Sequence, residues 1–93
     1  MDTATKLAAL KIDLGITTTA YDERLTQYLG AAAEAIKGEG ITLDPGLVSD
    51  DNLQISYAAW LWRKRDDGSG MPRMLRWALN NRLFSEKVSG GNP

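Results

Sequence analysis

Two pairs of adjacent carboxylates, Asp50-Asp51 and Asp66-Asp67, are the first candidates for chemistry in this chain, because neighbouring carboxylates can hold a cation or share a proton. Their settings point elsewhere. Asp50 and Asp51 follow Ser49 at the start of a long breaker-free stretch, and Asp66 and Asp67 precede Gly68, so both pairs are expected to cap a helix or turn the backbone. Ser69 lies between two glycines, but a serine needs a base to become a nucleophile, and the chain has no His and no Cys. Gly38-Glu39-Gly40 lacks the Lys and the following Ser or Thr of a phosphate-binding loop. The sequence therefore predicts no catalytic residue, no metal site and no cofactor, and it predicts a protein that works by binding other macromolecules.

Residue types suited to binding are concentrated in the second half. Tyr57, Trp60 and Leu61 share one helical face, whereas Trp62 projects about 200° away from Trp60 at ~100° per residue. Either all three Trp, including Trp77, fill the core, or Trp62 anchors a subunit interface, where Trp is enriched. The basic residues Arg63, Lys64, Arg65, Arg73, Arg76 and Arg82 also carry two readings. The run at 63–65 suits the negative end of a helix dipole, and the same arginines could grip phosphates or the acidic groups of a partner. Residues 1–62 hold four Lys/Arg against nine Asp/Glu, for −5, and residues 63–93 hold seven against three, for +4. The sequence thus predicts an electrically two-ended molecule, able to meet further copies of itself head to tail.

Four helices must position these groups. Leu7, Leu10 and Leu14 recur at helical spacing from about Thr5 and stop at Gly15. A second helix should start near Ala20 with Thr19 as a cap, bury Leu25, Tyr28, Leu29, Ala32 and Ile36, and end at Gly38 and Gly40. After a Gly- and Pro-turned loop to Val48, a third helix should start at Ser49 with Asp50 and Asp51 and run without a breaker from Leu53 to Arg65. Only Gln54 and Ser56 are polar between Leu53 and Trp62, so this helix should be buried on more than one side. Pro72 suits the first turn of a fourth helix reaching about Phe84, with Met71, Met74, Leu75, Ala78, Leu79 and Leu83 on its apolar side. The predicted fold is all-α, a compact bundle of about four helices, with one domain over 1–88 and a flexible tail over 89–93. Its expected core is Leu25, Leu29, Ile36, Leu53, Tyr57, Trp60, Leu61, Leu75 and Leu79.

At 93 residues and 43% hydrophobic content the chain can fold alone, though with a small core, so help from neighbouring subunits would matter. No apolar run approaches the ~20 residues of a membrane span, and the first residues lack the pattern of a signal peptide, so a cytoplasmic protein is expected.

The ordered features resemble a known group, the small all-helical head-tail connector proteins of tailed bacteriophages and prophages. Tyr21-Asp22-Glu23-Arg24-Leu25 through Ala31-Ala32-Ala33-Glu34-Ala35-Ile36 resembles the family's acidic turn and Ala-rich helix. Ala58-Ala59-Trp60-Leu61-Trp62-Arg63-Lys64-Arg65 resembles its hydrophobic third helix, with Trp62 and Arg65 matching an aromatic-x-x-Arg ending in which Tyr is usual. Pro72, Leu75 and Arg82 resemble its closing helix, and the likeness spans roughly residues 3 to 84. It implies a virion structural protein, made in the host cytoplasm and incorporated at the head-tail junction as a ring under the portal. Implied partners are further copies of the chain, the portal and the tail-side connector protein, with DNA passing through the channel without sequence-specific binding. The interface would draw on Trp62, Arg63, Arg65, Arg73, Arg76 and Arg82. The rival reading is a small helix-turn-helix-like DNA-binding regulator, with Arg73 and Arg76 near the start of its recognition helix.

Overall fold

A computed structural model describes residues 1–90, with side chains through Val88. Four helices, α1 (Thr3–Leu14), α2 (Asp22–Gly38), α3 (Val48–Asp67) and α4 (Arg73–Gly90), form an all-α fold measuring 48 × 28 × 17 Å. Helix α3 packs against all three others, α1 and α2 pack on each other, and α4 lies along α3.

Local chemistry accounts for most of the boundaries. Asp2 caps α1 by accepting from the Thr5 N–H at 2.8 Å, and Gly15 ends it in the left-handed conformation. Helix α2 begins two residues later than the Thr-rich turn predicts. Thr18 Oγ1 accepts from the Ala20 N–H, so the threonine hydroxyl closes a turn and leaves Tyr21, with no capping side chain, at the helix start. Helix α3 extends past both predicted ends. It begins at Val48, and Asp66 and Asp67 stay helical until Gly68 terminates it with φ +65°. Asp67 then accepts from the Ser69 N–H, so it does serve the turn. Helix α4 continues through Gly90, six residues beyond the expected end. Of the expected flexible tail, 89–90 are thus helical, and 91–93 lie outside the described residues.

The core is centred on α3. Leu53, Ile55, Tyr57, Ala58 and Ala59 are all buried, and their spread around the helix shows it covered on several sides. Leu10, Leu25, Leu29, Ala32, Ile36, Leu75 and Leu79 close over it. Of the expected core, Trp60 and Leu61 are corrected to partly buried residues packed against its edge. Ile41, absent from the expected core, is buried although it sits in the α2–α3 loop. Buried Gln54 donates to the Leu29 carbonyl at 2.9 Å and accepts from Lys6 Nζ at 2.8 Å, tying three helices together through one amide.

Gly40 turns the chain out of α2 with φ +99°, and a Cβ there would stand 3.3 Å from Leu83 of α4. Replacing it with Ala combines left-handed strain with crowding of α4, so Gly40→Ala should lower stability by about 1–2 kcal/mol in urea denaturation. Gly30→Ala, in a helix and with open space around the new methyl, should instead be neutral or stabilising.

Candidate assembly surfaces

The carboxylate pair at the start of α3 does not cap the helix, which corrects the expectation for Asp50 and Asp51. The residue at the cap position is Leu47, without a capping side chain, and both aspartates are turned inward, 2% and 4% exposed. Asp50 receives Arg82 of α4 at 2.8 Å and the Asp44 N–H at 2.8 Å. Asp51 receives the Met1 nitrogen at 3.0 Å and lies 3.7 Å from Lys6 Nζ. A carboxylate placed one turn into a helix can serve as an anchor for other segments when its neighbours bring cations to it, and that is its use here. Burial works to raise the Asp50 pKa, but hydrogen bonds from Arg82 and the Asp44 backbone outweigh it and hold the carboxyl below its usual range.

The basic residues expected at a partner interface are largely engaged within the chain. Arg82 also donates to the Thr42 carbonyl at 2.8 Å, joining α4 to the α2–α3 loop, and Glu86 beside it accepts from the Thr42 N–H. Arg76 forms a two-pronged pair with Glu39 at 2.8 and 3.0 Å. Arg63 donates to the Asp13 carbonyl at 3.1 Å, and Arg65 pairs with Asp66 at 2.8 Å. The expected separation of charge into two ends is corrected accordingly: Arg76 and Arg82 of the basic half lie on Glu39 and Asp50 of the acidic half. Arg73, exposed at the start of α4, forms no ion pair among the described residues, and the same holds for Lys87.

Each tryptophan has a different environment. Trp62 is edge-on to Tyr21 and Tyr28 of the α2 region at 5.5 and 5.7 Å, and the Arg65 guanidinium lies 3.7 Å over its ring. Its 200° offset from Trp60 leads to α2 and its tyrosines, so the residue expected at a subunit interface pins α2 to α3 within the chain. The aromatic-x-x-Arg spacing has the physical content of a stacked pair one helical turn apart. Trp60, edge-on to Tyr57 at 5.4 Å and under Lys64, lines a groove of about 690 Å³ between α3 and α4 together with Leu53, Ala59, Pro72 and Leu75. Trp77 is 61% exposed, which corrects the reading that all three Trp fill the core.

Trp77 belongs to a surface that the sequence reading missed. Met74, Trp77, Phe84 and Val88 are 58–70% exposed and, with Asn81 between them, follow a spacing of three, four, three and four along α4. That spacing lays them in one stripe. Leu75 and Leu79, which face α3, are buried on the other side of the same helix. Met74, expected on the core side with Leu75, is corrected to this outer stripe. The signal was legible as a second apolar repeat interleaved with the first.

Among the described residues no group of three or more Asp or Glu is placed to hold a metal ion, and no helix is long and apolar enough to cross a membrane. No family model, curated protein or solved structure matches the chain.

The Asp50–Arg82 pair yields a prediction with a defined pH window. Asp50→Asn leaves Arg82 with only the more distant Glu86 carboxylate, 3.9 Å away, in a largely buried setting and should cost about 3 kcal/mol at neutral pH. Because the folded carboxyl titrates below its unfolded value of 3.8, its stabilisation is present above that pH and lost as pH falls through the folded value. Denaturant titrations from pH 7 to pH 2 should therefore show the gap between wild type and variant closing below about pH 4. A gap that stays constant through that window would remove the pair from the account of stability.

Proposed function

We propose that this protein is a structural assembly subunit, a head-tail connector of a tailed bacteriophage or prophage that forms a homo-oligomeric ring beneath the portal and lines part of the DNA conduit. The observation that carries this reading is the stripe of Met74, Trp77, Phe84 and Val88, held on the outside of a helix whose opposite side is already packed. A chain of 93 residues that holds two large aromatics and two aliphatic side chains in water has a partner for them. The resemblance of residues 3 to 84 to the connector family supplies the kind of assembly. Its partners are then other copies of the chain, the portal and the next tail-side protein, and its final location is the virion.

The regulator reading loses support from the same geometry. Of the two arginines that would begin a recognition helix, Arg76 is held by Glu39. Arg82, Arg65 and Arg63 also have protein partners. Of the arginines named for either interface, only Arg73 is left without a protein partner among the described residues.

Native mass spectrometry and negative-stain electron microscopy of the purified chain, alone and with a candidate portal protein, test the proposal. The expected result is a closed multimer, formed alone or on the portal, together with weak duplex binding that disappears at physiological salt. Tight, salt-dependent duplex binding by a chain that ignores the portal would replace the connector reading with the regulator.

A further inference from the structure

The α4 stripe has a counterpart elsewhere on the molecule. Helix α3 packs against α4 and against the α1–α2 pair, and the hollow between α1 and α2 shares no residue with the α4 stripe. Where α1 meets the beginning of α2 there is a shallow hollow of about 380 Å³. Along it, Ala4, Leu7 and Ala8 precede the Lys11–Asp22 ion pair, and Ile12 and Ile16 follow. Ile12 is 79% exposed, the most exposed of the large hydrophobic side chains described, whereas Leu10 on the inner face of the same helix is fully buried.

We propose that the α4 stripe of one copy of this chain seats in the α1–α2 hollow of the next, and that this head-to-tail contact is the joint from which the ring is built. The inference rests on the assembly reading above, and three observations select this occupant. The first is the order of polarity. The stripe reads apolar at 74 and 77, polar at Asn81, apolar at 84 and 88, and the hollow reads apolar at 4, 7 and 8, polar at Lys11 with Asp22, apolar at 12 and 16. Ala4 and Lys11 are seven residues apart, as are Met74 and Asn81, so the polar layers coincide when the apolar ones do. The Asn81 amide then meets a carboxylate it can donate to and an ammonium it can accept from.

The second observation is shape and charge. Bulky side chains stand on α4, while the hollow is floored in part by alanines, so large side chains meet small ones across the joint. Arg73 and Lys87, without an ion-pair partner among the described residues, lie at the two ends of the stripe. The exposed Glu23 on the α2 side of the hollow supplies an opposite charge. The third is area. The four stripe side chains expose on the order of 500 Å² of mostly apolar surface, and a polar rim brings this near the roughly 800 Å² per partner of a standard stable interface. Contacts between two different surfaces propagate and close into a ring when the rotation between copies permits.

A mixing experiment tests the joint. Trp77→Glu with Phe84→Glu disables the stripe, and Ala8→Arg fills the hollow. All three positions are exposed, so each variant should keep the wild-type circular dichroism spectrum and melting temperature. In analytical ultracentrifugation at millimolar protein concentration the wild type is expected to self-associate and each variant alone to sediment as a monomer. An equal mixture of the two should give a one-to-one dimer and nothing larger, since each copy retains one competent surface and only one pairing remains. With Ala8→Cys in one copy and Asn81→Cys in the other, a short thiol cross-linker should join the two, a clean assay in a chain without native cysteine. Self-association of Ala8→Arg at the wild-type level would overturn the joint. So would cross-linking of Asn81→Cys copies to each other, which would place two α4 stripes face to face. A portal-bound ring that Ala8→Arg still forms removes this contact and leaves the connector reading in place, whereas a chain that forms no multimer alone or with the portal removes both.

Discussion

The placement of α4 depends on one buried carboxylate. Asp50 has almost no access to water, and an ionised group in that position persists only while cations and N–H groups surround it. Arg82 is the cation that reaches it, and the same guanidinium also holds the Thr42 carbonyl of the loop. With Arg82 and the buried Leu75 and Leu79 turned toward α3 and the loop, the rotation of α4 about its axis is set. Trp77, Phe84 and Val88 must then point the other way, with Met74 exposed at the edge of the α3–α4 groove. The exposed stripe is therefore a consequence of a buried ion pair and has no freedom to fold back onto the core.

That arrangement changes what the basic second half of the chain is for. Taken as a string, its excess of positive charge suggests phosphate or acidic partners. In the folded molecule Arg76 bonds to Glu39 and Arg82 to Asp50, and Arg63 reaches the end of α1 at Asp13. These links span 32 to 50 residues of sequence, and each joins a helix that packs on α3 to another element. The arginines act as fasteners inside the chain, and α4 keeps an apolar stripe exposed. Directional charge pairs hold the helices of this chain in place, and the apolar stripe of α4 takes no part in them.

The number of helices, their order and the central position of α3 were legible in the sequence because each rests on local chemistry. Gly15 and Gly40 allow the left-handed or turned backbone that ends α1 and α2, and the near-continuous apolar run from Leu53 to Trp62 requires cover on several sides. The buried leucines of α2 and α4 follow from a period of 3.6 residues. Among the candidate site residues the aromatic-x-x-Arg pair of Trp62 and Arg65 was also legible, since residues three apart on a helix are neighbours whatever the fold.

What only the tertiary structure decided is which apolar side chains stay uncovered and which partner each charge finds. Helix α4 has two interleaved apolar repeats; the period marks the leucine repeat as the inner one, and the Arg82–Asp50 pair, formed across 32 residues, fixes how that side meets α3 and leaves the other repeat exposed. Trp60, Trp62 and Trp77 have the same composition signal and three different surroundings, because α2 lies on one flank of α3, a groove on another, and solvent beyond α4. Asp50 and Asp51 have the sequence setting of capping residues, yet the approach of α4 and of the N-terminal segment turns them into buried anchors. Helix formation is settled within a few residues of chain, whereas burial and ion pairing are settled by segments that meet only after the chain has folded, and so the sequence alone determined the elements while their packing decided the surfaces.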